Sequence, residues 1–206
     1  MVPQHWFDRL ERRFHWLAVP GLASFLVGMN AVVWLMSLFR PAFPRLLWLD
    51  PWALVHGQPW RAVTFLFVPP ASGPLGTIFW LLLLYTFAAA LENEWGDFRF
   101  NLFYFSGAAA TAAASLAGGW PLSNMTLNTS LFLAFAALYP DFEIIVFFIL
   151  PVKVRWLAAL TAASLAWTFL FWGPPARWEV ASGLVNYLLF FGGDHARALR
   201  RRIRGR

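Results

Sequence analysis

The sequence predicts an all-α polytopic membrane protein, a bundle of six spanning helices. Three observations carry that expectation. Of 206 residues, 60% are hydrophobic and only 13% charged, whereas an ordinary globular domain is about a quarter charged. Apolar runs long enough to cross a hydrocarbon core of roughly 30 Å recur along the chain. Between them stand proline- and arginine-rich breaks and one compact charged turn, the punctuation expected where helices end.

The elements follow in order. In residues 1–20, Trp6, Phe7, Leu10, Phe14 and Leu17 recur every three or four positions, which predicts an amphipathic helix lying along the membrane surface. Span 1 covers 21–39, opened by Pro20 and closed by Arg40 and Pro41. Residues 40–73 carry Pro41, Pro44, Pro51, Pro59 and Pro69, so they form a partly embedded loop, with Trp48, Trp52 and Trp60 in the headgroup zone.

Spans 2 and 3, at 75–91 and 100–116, are joined by the charged turn. Span 3 lines up Ser106, Ala110, Ala114 and Gly118, with Gly107, Thr111 and Ser115 alongside, and this small-residue stripe predicts the bundle centre. Span 4, 126–139, is about 21 Å of helix at 1.5 Å per residue, too short to cross unaided. The apolar run 142–150 reads as an interfacial connector. Spans 5 and 6 follow at 154–172 and 178–191.

This gives a surface segment at 1–20, a membrane domain at 21–193 and a basic tail at 194–206. Six spans leave both termini on one side. With both in the cytoplasm, Arg9, Arg12, Arg13, Arg99, Lys153, Arg155 and the six tail arginines lie inside, against Arg40, Arg45, Arg61 and Arg177 outside, as the positive-inside rule requires. The expected location is the plasma (inner) membrane. The net charge of +6 is concentrated in the tail, which suits anionic lipid better than nucleic acid. No cysteine is present, so disulfides, thiolate metal sites and cysteine nucleophiles are excluded. No metal or other cofactor is expected.

Two segments carry a family likeness. Gly57-Gln58-Pro59-Trp60-Arg61-Ala62-Val63-Thr64 matches a G-Q-x-W-R-x-x-T pattern, and Glu92 to Phe100 matches an E-x-x-x-G-x-x-R-F turn. With the short fourth span ending Tyr139-Pro140-Asp141 and the connector through Pro151 and Lys153, residues 47–191 resemble the rhomboid superfamily. The segments around Leu10 to Phe14 and Asn186 to Phe191 are similar to those of bacterial rhomboid-like membrane proteins. The resemblance implies a six-helix rhomboid-like bundle, with Trp60, Arg61, Glu92, Gly96 and Arg99 as its structural motif.

Active rhomboids place a serine in G-x-S-G at the recessed start of span 4. A span 6 histidine is its base, and a span 2 histidine and asparagine donate to the oxyanion. The chemistry needs a base for the hydroxyl proton and placed donors for the developing charge. This chain departs at each place. The serine segment reads Asn128-Thr129-Ser130-Leu131, with Ser130 nearer the end of its span than a family nucleophile lies, and Ser182 or Gly183 stands where the histidine would fall. Span 2 has neither histidine nor asparagine, and His5, His15, His56 and His195 all lie outside the spans. Losing the base alone removes about 10²–10⁴ in rate.

The expected function is therefore a catalytically inactive pseudoprotease binding transmembrane segments of client proteins. The alternative is a rhomboid-type intramembrane serine endopeptidase using Ser130 or Ser182 with His56 folded over it. A small-solute or lipid-handling protein is a third class. Asn128, Ser130, Ser182 and Asn186 are candidates for a client groove, with interhelical hydrogen bonding as their other role, shared by Asn30. Glu92, Glu94, Asp97 and Arg99 either bind an ion or form a turn salt-bridged to Arg99. Arg61 caps carbonyls or pairs with Asp50.

Overall fold

The computed structural model describes residues 11–14, 16, 18–70, 73–146 and 150–192. Within them the chain is 77% helical, with ten helices, three of which are long and apolar enough to cross a membrane. The basic tail, His5, His15, His195 and most of the predicted surface helix lie outside the described residues; of that helix, 11–14 are helical.

The first spanning candidate is α1 (Leu22–Phe39). It begins after Gly21, whose φ of 69° suits glycine, and stops where Arg40 turns extended before Pro41. Leu22, Ala23, Leu26, Asn30 and Val33 are buried, so one stripe packs inward while Phe25, Val32 and Leu35 face outward.

Residues 40–73 fold as the prolines dictate, into short pieces: a 3-10 turn at Phe43–Leu46, α2 (Pro51–Val55), α3 (Arg61–Thr64) and a second 3-10 turn at Phe65–Phe67. Asp50 caps α2 by accepting from the N–H groups of Trp52 and Ala53. Leu49, Phe65 and Leu66 are buried against the bundle, while Trp48, Trp52 and Trp60 stay exposed.

The next two helices, α4 (Pro74–Trp95) and α5 (Asp97–Gly118), share a single hinge residue, Gly96, at φ 79°. Of the pair, α4 is long and apolar enough to span. Nine residues of α5 are buried, and α6 (Met125–Leu138) likewise buries nine of its 14 and packs on α4, on α5 and on both helices that follow. On α5 the buried small residues are Gly107, Ala108, Thr111, Ala114 and Ser115, while Ser106 and Ala110 are only partly covered.

After α6 the apolar connector forms an antiparallel hairpin, β1 (Glu143–Val146) with β2 (Leu150–Lys153), pairing Glu143 with Lys153 and Ile144 with Val152. It is the departure from an all-helical chain. Ile144 packs beside Phe87, Phe135 and Val154, which ties the hairpin to α4 and α6. At its base Asp141 meets both Lys153 and Arg155 at 3.2 Å.

The last helices are α7 (Val154–Phe171) and α8 (Pro174–Gly183), the latter opened by two prolines at its first positions. Only Val154 of α7 is buried, although the helix is long and apolar enough to span. The predicted span 178–191 begins earlier, at Pro174, and is interrupted by a turn at Leu184 before helical residues 185–192. Ser182 and Gly183, both weak helix formers, precede that turn. Phe190 and Phe191 then close on Trp95 with ring centroids 5.4 and 5.9 Å away.

Candidate functional site

The motif side chains staple backbone. Arg61 is buried, its Nη1 donating to the carbonyls of Arg45 at 3.0 Å and Trp48 at 2.9 Å and its Nε to Gln58 Oε1 at 2.6 Å. Of its two predicted roles, carbonyl capping is the one seen. Thr64 donates to the Leu47 carbonyl at 3.2 Å. Gln58, Arg61 and Thr64 thus hold one loop, and Trp60 stays exposed beside them.

The charged turn works the same way at the other end of the bundle. Glu92 Oε1 accepts from the Ala23 N–H at 3.4 Å, at the start of α1, and Asn101 Nδ2 donates to the Val19 carbonyl at 3.1 Å. Arg99 reaches beyond its own turn to Glu11, Nε to Oε2 at 3.0 Å. Tyr139 donates to Glu94 Oε2 at 3.2 Å.

In the bundle centre, Ser130 donates to the Leu127 carbonyl at 2.6 Å and accepts from Asn186 Nδ2 at 2.8 Å. Ser130 is the sixth residue of α6, about one and a half turns beyond its start. The Tyr104 hydroxyl donates to Asn128 Oδ1 at 3.5 Å. Gly107 makes this closeness possible, since a Cβ there would lie 2.5 Å from Leu127 Cδ1 and 2.8 Å from Asn186 Nδ2. Asn128, Ser130, Ser182 and Asn186 are all buried.

Thr126, at the start of α6, faces Gly183. A Cβ on Gly183 would stand 2.6 Å from Thr126 Cβ and 2.9 Å from its carbonyl carbon, so the backbone of α8 rests on the head of α6. Ser182 turns back to the Glu179 carbonyl at 3.2 Å. Ser123 donates to the Glu179 carboxylate and accepts from the Met125 N–H. Comparison with protein-family models finds no match, and none is found among curated proteins.

His56 is the one histidine among the described residues. Its ring stacks on Trp52 at 4.2 Å, and Nδ1 bonds the Trp52 carbonyl at 2.7 Å. The structure therefore brings Ser130, Asn186 and Gly107 together, places Asn128 on Tyr104, and gives Ser182 and His56 separate partners. Ser130 touches a carbonyl and an amide, neither of which removes a hydroxyl proton at neutral pH. No group of three or more histidine, aspartate or glutamate side chains placed to hold a metal occurs among the described residues.

Thr126 was not singled out from the sequence. Thr126 is the second residue of α6.

Proposed function

We propose that this chain is a rhomboid-like integral membrane protein without peptidase activity, which binds transmembrane segments of other proteins. The observation that carries the inactive reading is the contact between Gly183 and Thr126. In the family that the sequence resembles, a histidine on span 6 works on a serine at the start of span 4. Here Gly183 of α8 packs on Thr126 of α6, and among the described residues neither helix carries a histidine to act as a base.

The client-binding half rests on physical support from α6 and α7. With 14 residues, α6 is shorter than an average bilayer needs, so lipid beside it thins. Both α4 and α7 pack on α6, and almost all of α7 is uncovered by protein. On α6, Thr129 and Phe132 remain partly open. A helix with a weak or polar centre gains most from such a surface. In this reading the bundle has six spans, both termini are cytoplasmic in a plasma (inner) membrane, and the tail arginines meet anionic lipid.

The test uses the purified chain in proteoliposomes with a transmembrane reporter and a fluorophosphonate probe. The expected result is no cleavage and no labelling, with a photocrosslinker at Thr129 or Phe132 capturing the reporter helix. Labelling abolished by Ser130→Ala or Ser182→Ala overturns the reading in favour of a serine endopeptidase. Ion-dependent solute flux without reporter capture replaces it with transport.

A further inference from the structure

Four charged side chains gather where the β-hairpin meets α7, and the proposed function uses none of them. Lys153 Nζ and Arg155 Nη2 both lie 3.2 Å from the same oxygen, Asp141 Oδ1. Two cations that share one oxygen are near enough to each other to meet a single phosphate. Glu143 stands opposite Lys153 in the hairpin register. The side chains of Asp141, Lys153 and Arg155 are 68, 39 and 48% exposed, and Glu143 is exposed beside them. Exposed ion pairs hold each other weakly, so a ligand offering both signs of charge exchanges into such a cluster at little cost.

Apolar surface rises directly from this cluster. The helix that starts at Val154 is long and apolar enough to span. Trp156, one residue past Arg155, is exposed, and Leu160, Ala163 and Trp167 continue its face at steps of four and three, all of them exposed. Tryptophan beside a charged foot suits the headgroup layer of a membrane, with the apolar stripe above it in the acyl chains. The hairpin stays at that boundary, because the open edges of a two-stranded sheet keep backbone groups that hydrocarbon does not satisfy.

The charges of the cluster balance, two cations against two carboxylates. An anionic headgroup meets the cations but is repelled by Asp141 and Glu143. A zwitterionic headgroup with a primary ammonium satisfies both signs: its phosphate accepts from Lys153 and Arg155, and its ammonium donates to the carboxylates. A choline headgroup carries the same charges without an N–H to donate. We propose that this corner of the fold binds an aminophospholipid of the phosphatidylethanolamine type, its headgroup on Asp141, Glu143, Lys153 and Arg155 and an acyl chain along the Trp156 face of α7. The assignment rests on the chain lying in a membrane and not on its binding clients.

The test is native mass spectrometry of the purified full chain released from nanodiscs holding equal parts of phosphatidylethanolamine, phosphatidylcholine and phosphatidylglycerol. Retention of phosphatidylethanolamine about two- to five-fold above either other lipid is expected, the range that an exposed ion pair supplies. Lys153→Gln/Arg155→Gln is expected to abolish that excess, and Asp141→Asn/Glu143→Gln to abolish the excess over phosphatidylcholine while raising phosphatidylglycerol. Equal retention of the three lipids by the parent chain, a preference for phosphatidylglycerol, or an excess unchanged in either double variant overturns the proposal. Should a double variant fail to fold, the single variants Lys153→Gln and Glu143→Gln decide by the same criterion. A last arm adds phosphoethanolamine, the headgroup without acyl chains; retention equal to that of the lipid overturns the assignment to a lipid.

Discussion

Glu92, near the end of α4, caps α1: its Oε1 accepts from the Ala23 N–H at 3.4 Å across 69 residues of sequence. The first N–H groups of a helix have no partner within it and carry positive partial charge, so a carboxylate there satisfies a donor and meets the helix dipole. Glu92→Ala is expected to lower stability by about 0.5–2 kcal/mol, the usual cost of losing a cap. Glu92→Gln keeps an acceptor and loses only the charge, so its loss is smaller. Thermal unfolding in detergent, followed by circular dichroism, ranks the two; equal losses would argue against a hydrogen-bonded cap.

Arg61 holds two loop carbonyls and Gln58 at once through a planar fork. A lysine has the charge without that geometry, so Arg61→Lys is expected to behave much like Arg61→Ala and not like the parent. Each buried carbonyl left unpaired costs about 1–3 kcal/mol. Limited proteolysis checks this, with faster cutting between residues 45 and 60 expected in both variants.

Three glycines separate close approach from open space. Gly107→Ala and Gly183→Ala push a methyl group into atoms 2.5 and 2.6 Å away and are each expected to cost about 1–3 kcal/mol. Gly28 lies within α1 with nothing inside 4 Å of an added Cβ, so Gly28→Ala is expected to stabilise by up to about 1 kcal/mol through helix propensity. Melting temperatures of the three variants test the opposite signs.

Removing the Ser130 hydroxyl leaves Asn186 Nδ2 without the partner it has at 2.8 Å in a fully buried place. Ser130→Ala is therefore expected to destabilise by about 1–3 kcal/mol. The double variant Ser130→Ala/Asn186→Leu, which removes both polar partners, should recover part of that loss. A double-mutant cycle on unfolding midpoints reads the coupling.

Element ends were legible where local residues set them. The stop of α1 is written in Arg40 and Pro41, whereas α4 and α5 run on through the charged turn to Gly96 and α8 starts at Pro174, four residues before the predicted 178. The hairpin at Glu143 to Lys153 was not legible, since a short apolar run between a proline and two cations fits a connector as well as a strand pair. The candidate residues were legible as types but not as arrangements. Ser130 and Asn186 were both named, yet their bond joins positions 56 apart, and Gly107, which permits it, read only as one small residue among several.

By itself the sequence determined that the chain carries helices long and apolar enough to cross a membrane, where α1 ends, and which positions are small or polar. Those properties follow from composition and from residues within a turn of each other. Only the tertiary structure decided that Glu92 reaches Ala23, that Arg99 reaches Glu11 and that Gly183 rests on Thr126. Such pairings depend on how whole helices pack, and packing is settled by the summed fit of many side chains, which no single stretch of the chain encodes.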